Sequence, residues 1–256
     1  MIIVAVSGGK ASAWCADWAL KNHPKEDVTL YFNDTGWEHP DLYRFLDDLE
    51  KYLDHPILRD SDGRTPEEVF YDEKVLGNSR LPICSRTLKA DRMQKYFNDG
   101  DTLIFGIGPE EQHRAKRIIN TYLMVGEQTN KWAKIRFPLV AEHVHQNDVT
   151  TFVEQSGIET PLLYRLGFKH NNCYGGCVRQ GKKSWKRLYD TLPDIYAERE
   201  RAEEELRDYI GKDVHFLADE TLKSFRGKIE RGELGAAYYK DVETSVECIG
   251  ICSTEA

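Results

Sequence analysis

Ile2-Ile3-Val4-Ala5-Val6-Ser7-Gly8-Gly9-Lys10-Ala11-Ser12 decides how this chain is read. Its β-branched apolar opening suits a parallel strand covered on both faces. Apolar residues resume as Ala13-Trp14-Cys15-Ala16-Asp17-Trp18-Ala19-Leu20, with Trp14, Trp18 and Leu20 at helical spacing. Ser7 to Ser12 is therefore expected to be the loop at the carboxyl end of a strand, just before a helix. Gly8 and Gly9 let the backbone turn sharply and approach a ligand, and the first amides of the helix point outward at the positive end of its dipole. Lys10 adds a mobile point charge, while Ser7 and Ser12 add hydroxyls able to donate to phosphate oxygens. The alternative is a plain strand-to-helix turn. The loop's position, after the first strand and ahead of a helix, is the context a phosphate site demands.

Moving outward, Val28-Thr29-Leu30-Tyr31-Phe32-Asn33 predicts a second strand that runs into the polar loop Asp34-Thr35-Gly36-Trp37-Glu38-His39-Pro40. His39-Pro40 then opens a helix through Leu42, Phe45, Leu46 and Leu49, with Pro in the first turn, where its missing N–H does no harm. Pro56–Arg59 and Thr102–Ile107 read as further strands, with helical stretches near Thr65–Tyr71 and Ser85–Phe97 between them. Such alternation predicts an α/β fold with a doubly wound parallel sheet. Ligands of these sheets bind beyond the carboxyl ends of the strands. Three loops should thus converge: Ser7–Ser12, Asp34–His39 and Gly106–Arg114. Asp34 or Thr35 has the simpler alternative of capping the next helix.

From about His145 the alternation weakens. Val149–Glu154 reads as a helix, Thr160–Leu166 as a connector, and Asn171–Lys183 as a loop rich in Gly and Asn. One long helix is expected from Ser184 to about Tyr209, with Trp185, Leu188, Leu192, Ile195 and Tyr196 on one face. The expected division is a nucleotide-binding domain over residues 1–144 and a helical, cysteine-containing appendage over residues 145–256.

Composition bounds the function classes. The chain has 256 residues, 40% hydrophobic and 30% charged, within the range of globular proteins. It offers no apolar run long enough to cross a bilayer and no signal-peptide pattern at Met1–Val6, so a cytoplasmic protein without a membrane partner is expected. A net charge of -8 argues against a general nucleic-acid coat. Arg179, Lys182, Lys183, Lys186 and Arg187 nevertheless form a local basic stretch where tRNA or DNA phosphates would fit. A homodimer is a further open expectation.

Ser7-Gly8-Gly9-Lys10-Ala11-Ser12 is no Walker loop. It resembles the pyrophosphate loop of the N-type ATP pyrophosphatases and the phosphoadenosine phosphosulfate (PAPS) reductase superfamily, which usually carries Asp where this chain has Ala11. Asp34-Thr35-Gly36-Trp37-Glu38-His39-Pro40 resembles that superfamily's Asn/Asp-Thr-Gly-x-Glu-His-Pro motif, which lines the nucleotide and substrate pocket. Cys84-Ser85-Arg86-Thr87-Leu88-Lys89 is similar to its Cys-x-Arg-x-Leu-Lys segment, and the resemblance implies that Arg86 and Lys89 lie at the phosphate or sulfate end. Three apart, the two are expected on one helical face as a cationic pair able to hold an anion, with solvated side chains as the commoner alternative. Gly106-Ile107-Gly108-Pro109-Glu110-Glu111 looks like its Gly-Ile-Arg-x-Glu-Glu loop with Gly108 in place of the Arg, leaving Arg114 or Arg117 as a substitute contact. What the resemblance implies is a Rossmann-like domain binding ATP or PAPS through Ser7, Gly8, Gly9, Lys10, Ser12, Asp34, Thr35, Glu38, His39, Arg86, Lys89, Gly106 and Arg114. Lys10 and Asp34 are the expected catalytic groups, and Asp34 or Glu38 the first choice for magnesium.

Six cysteines in a reducing compartment are read as free, catalytic or metal-bound. Cys173 and Cys177 repeat the spacing of Cys248 and Cys252, so the two pairs could form a tetrahedral thiolate site for zinc or a [4Fe–4S] cluster. Cysteines that merely pack are the alternative. The block from Asn171 to Pro193 resembles one in phage and prophage members of the same superfamily, which also end in Cys-x-x-x-Cys. Glu247-Cys248-Ile249-Gly250 is similar to the Glu-Cys-Gly tail of assimilatory PAPS reductases, which makes Cys248 a candidate nucleophile toward a sulfonyl sulfur. Three functions remain open: cleavage of ATP at its α-phosphate side, with release of AMP and pyrophosphate, as in adenylation or sulfur transfer; reduction of an adenylated sulfate; or an accessory nucleotide- or RNA-binding role in which Ala11 marks lost catalysis.

Overall fold

The computed structural model describes residues 1–78, 81–235 and 238. Its sheet is built from β1 (Ile2–Val6), β2 (Val28–Asp34), β3 (Ile57–Ser61), β4 (Thr102–Phe105) and β5 (Lys134–Arg136), in the order β3-β2-β1-β4-β5. Every pairing is parallel, and Val4 lies between Leu30 and Ile104. The short β5 was not foreseen. Its three residues Lys-Ile-Arg leave only Ile135 half-buried, too little apolar pattern to mark a strand.

Alternate side chains of the central strands leave the sheet on opposite faces. Val4, Val6, Leu30, Phe32 and Ile104 pack with α1 (Lys10–Asn22) and α2 (Pro40–Leu53), whose Leu42, Phe45, Leu46 and Leu49 are fully buried. Ile3, Tyr31, Leu103 and Phe105 pack on the other side with Phe97 and with Ile118 and Tyr122 of the long helix Gln112–Thr129. The sheet is thus doubly wound. The buried stripe of α1 differs from the expected one, because Ala13, Cys15, Ala16 and Ala19 face the core while Trp14 and Trp18 are only half-buried. Small side chains let this helix lie close against the strands.

Between β3 and β4 come α3 (Pro66–Glu73), α4 (Ile83–Ser85), a π turn at Arg86–Ala90, and α5 (Asp91–Tyr96). The π turn corrects the expectation that Arg86 and Lys89 share a face. A wider turn separates residues three apart, leaving Arg86 exposed and Lys89 buried. Beyond β4 follow α6 (Gln112–Thr129), α7 (Pro138–Ala141), α8 (Gln146–Gln155) and α9 (Leu162–Arg165). Val149 and Val153 of α8 join the same core as α1.

The long helix expected from Ser184 is two helices, α10 (Lys182–Thr191) and α11 (Pro193–Ile210). Pro193 lacks the N–H that would continue the ladder and pushes the preceding Leu192 out of helical geometry, to φ -138° and ψ 63°. With α12 (Leu222–Glu230), these helices bury Trp185, Tyr196, Leu206, Phe216 and Phe225. This apolar cluster also includes Val69, Phe70, Leu88 and Trp37, so the helical region seats directly on α3 and on the loop after β2. No helix among the described residues is long and apolar enough to cross a membrane.

Candidate functional site

The carboxyl end of β1 leads into the loop and α1 as the local sequence demands. Gly8 takes a left-handed φ of +74°, and a Cβ there would lie 2.6 Å from Leu42 Cγ, so both conformation and space call for glycine. The Ser7 N–H donates to Ser12 Oγ at 3.0 Å, and Ser12 Oγ donates to the Gly9 carbonyl at 2.9 Å. These bonds turn the two serines toward each other and tie the loop to the first turn of the helix. The Ala13 N–H reaches the Gly9 carbonyl, so the amides ahead of it precede the helical ladder. Gly106, after β4, comes so close that a Cβ on it would lie 2.8 Å from the Ser12 nitrogen. That close approach of two backbones explains the glycine.

A cavity of about 480 Å³ opens at this end of α1, lined among others by Lys10, Ala11, Gly108, Glu110, Thr150 and Tyr164. It lies at the edge where strand order reverses between β1 and β4, the ligand position of open parallel sheets. Lys10 is almost buried. Its Nζ donates to Thr150 Oγ1 at 3.1 Å and stands 4.7 Å from the centre of the Tyr164 ring. Glu110 pairs with His145 at 2.6 Å, and that bond holds its carboxyl below the usual range. Arg114 pairs with Glu111.

Residues of the Asp34–His39 loop mostly face inward. Asp34 Oδ1 accepts from the Gly36 N–H at 2.9 Å and the Tyr43 hydroxyl at 2.7 Å. The Glu38 side chain is 1% exposed and is held on both oxygens: Thr35 Oγ1 donates to Oε1 at 3.1 Å and the Cys173 N–H to Oε2 at 2.6 Å, with Lys89 Nζ 3.6 Å from Oε1. Lys89 is thereby the counter-charge of Glu38 and not the partner of Arg86. His39 caps α2, its Nδ1 accepting the Asp41 N–H at 2.9 Å, and burial holds its imidazole below the ordinary value. Among the described residues no three His, Cys, Asp or Glu side chains are grouped to share a metal ion, and Glu38 is committed to protein donors.

Cys173 and Cys177 lie together and buried on a turn whose Cys173, Tyr174 and Gly175 all take left-handed φ, at 53°, 56° and 76°. Hydrogen bonding to Cys177 and then burial push the Cys173 thiol well up, so it is held protonated. Cys248 and Cys252 lie outside the described residues, so only the first pair of the expected thiolate set can be placed. In the basic stretch, Lys182 bridges Asp219 and Glu220 at 2.8 and 2.9 Å, Lys186 pairs with Asp190 at 2.5 Å, and Arg187 lies over Phe168. These cations are largely answered from within the chain.

Sequence reasoning missed Thr150, Tyr164 and Asn171. The first two carry no motif and reach Lys10 only through the packing of α8 and α9. Asn171 stood in a Gly- and Asn-rich loop that gave no hint of its target, the Gly8 carbonyl, which its Nδ2 meets at 2.9 Å.

Residues 1–180 match the family model of the phosphoadenosine phosphosulfate reductase domain. A 57-residue segment, 22% of the chain, is 40% identical to the uncharacterized nin region protein ORF290 of Escherichia phage lambda, and the match spans 19% of that protein's length. The parallel sheet, the glycine loop at its switch point and a match over more than half the chain agree: this chain belongs to the phosphoadenosine phosphosulfate reductase domain family.

Proposed function

We propose that this chain is an enzyme that binds an adenine nucleotide with its phosphates at the Ser7–Ser12 loop and acts at the α-phosphate side. The carrying observation is Lys10, buried at the start of α1 and lining the cavity at the β1/β4 edge. On this reading Lys10 exchanges Thr150 and Tyr164 for phosphate oxygens, and the outward amides of the loop stabilise charge as the bond to the leaving group breaks. Ser7 and Ser12 orient the phosphates. On this reading residues 1–144 are the domain that supplies these loops and residues 145–256 the appended module, whose described part carries Cys173 and Cys177.

Cleavage of ATP to AMP and pyrophosphate is the first reaction assigned, because the full reductase tail is missing around Cys248. Reduction of an adenylated sulfate is the second, favoured by the family that the chain matches. Incubating the protein with ATP and magnesium, then with PAPS and reduced thioredoxin, separates the two by release of pyrophosphate or of sulfite. Release of neither leaves an accessory binding role. Lys10→Ala should weaken nucleotide affinity by about tenfold or more, near the worth of one charge-assisted hydrogen bond, with the unfolding midpoint little changed. Equal affinity of the variant and wild type by calorimetry overturns the assignment of Lys10.

A further inference from the structure

We infer that Asn171 is a positioning residue for the phosphate loop, fixing the Gly8–Gly9 peptide from a segment 163 residues away. The inference rests on the phosphate-binding reading above. Asn171 is 2% exposed, and its Nδ2 donates to the Gly8 carbonyl at 2.9 Å. A carbonyl oxygen can be met only by the amide's N–H side, so this contact also sets the orientation of the side chain. In a trans peptide the N–H points away from the preceding C=O. Holding the Gly8 carbonyl on the Asn171 side therefore aims the Gly9 N–H in the opposite direction.

Leu42 restrains the same glycine from another side, since any Cβ on Gly8 would strike its side chain. Gly8 would otherwise be the freest joint of the loop. Between Leu42 and Asn171 the peptide has one orientation before any anion arrives, and such preorganisation is what makes backbone amides effective donors to developing charge. Asn171 Oδ1 is buried without a hydrogen-bond partner among the described residues.

The neighbours of Asn171 reach the second loop as well. The Cys173 N–H donates to Glu38, and the Tyr174 ring lies 4.4 Å from that of His39. Residues 171–174 thus form a strap that touches both the Ser7–Ser12 and the Asp34–His39 loops.

The test uses the full chain, with inorganic pyrophosphate as a probe of the phosphate loop and adenosine as a probe of the rest of the site. Asn171→Ala removes the donor, and Asn171→Asp also sets a carboxylate against the Gly8 carbonyl. Pyrophosphate affinity should fall about tenfold in the first variant and further in the second, with adenosine affinity changed by less than about twofold. An equal loss for both probes would make Asn171 a general scaffold residue and overturn the inference. If wild type binds pyrophosphate and both variants bind it as tightly, the positioning role falls and the functional reading stands. If wild type binds neither pyrophosphate nor ATP, the functional reading falls and takes this one with it. Should both variants fail to fold, hydrogen exchange on the wild type decides. Pyrophosphate should slow exchange in residues 7–12 and 171–174 together, and protection confined to residues 7–12 overturns the inference.

Discussion

Cys173 illustrates how surroundings set the chemistry of a residue. A thiolate is the nucleophile and metal ligand, but hydrogen bonding to Cys177, burial and the nearby Glu38 carboxylate all favour the neutral thiol. Iodoacetamide at neutral pH should therefore label the half-buried Cys84 before Cys173, as read by mass spectrometry of partly modified protein. Earlier labelling of Cys173 would mean that its thiol is activated. His39 gives a pH prediction of the opposite kind. Its Nδ1 accepts the Asp41 N–H only while unprotonated, and burial lowers its folded-state value below the ordinary 6.5. The unfolded chain then binds the proton more readily. The cap's contribution, about 1 kcal/mol, is complete above pH 6.5 and is lost as pH falls through the lower folded value. Urea unfolding at pH 8 and pH 5 should show this loss in the wild type and a smaller one in His39→Asn, which keeps an acceptor that does not titrate.

At the scale of elements, α11 owes its placement to a carboxylate in the interior. Glu203 is fully buried and accepts the Phe216 N–H at 2.7 Å and the Leu222 N–H at 2.6 Å, so it pins the segment between α11 and α12. Glu203→Gln leaves one of those amides facing an NH2 group and should cost about 1–3 kcal/mol in chemical denaturation. Burial raises the carboxyl from 4.5 to about 7 despite the two amide donors. The folded state thus holds the proton more tightly than the unfolded chain. This contribution to stability is full below pH 4.5 and declines as pH rises toward 7, so the wild type should lose stability over that window relative to Glu203→Gln. Parallel curves for the two proteins would show that Glu203 does not titrate there.

At the scale of the whole molecule, Arg199 joins the helical region to the loop after β2 and to the turn of Cys173 and Cys177. Its guanidinium lies 3.6 Å from the centre of the Trp37 ring and is buried, while Gly176 passes so close that a Cβ would sit 3.0 Å from Arg199 Nε. One side chain of α11 thereby touches the loop after β2 and the turn that carries Cys173 and Cys177. Arg199→Lys keeps the charge but loses the planar stack, and should lower stability by about 1–2 kcal/mol. A variant as stable as the wild type by thermal and urea unfolding would show that stacking contributes nothing.

Local pattern was enough to read the strand, glycine loop and helix from Ile2 to Leu20 and the parallel α/β class, because a both-faces-buried strand and its glycine turn are written in consecutive residues. It was also enough to single out Ser7–Ser12 and Asp34–His39 as loops on one edge, since parallel strands bring their carboxyl ends together. It failed where neighbours in space decide. Which stripe of α1 is buried depends on how closely the helix approaches the sheet, and the break at Pro193 stands against a continuous apolar periodicity. The partner of Lys89 is a carboxylate on another loop, and the role of Asn171 depends on a carbonyl 163 residues away. Sequence by itself determined the family, the parallel α/β class and the loops that follow the first two strands. Only the tertiary structure decided which side chains hold those loops, because hydrogen-bond partners of buried polar groups are chosen by proximity in the folded chain and leave no periodic trace along it.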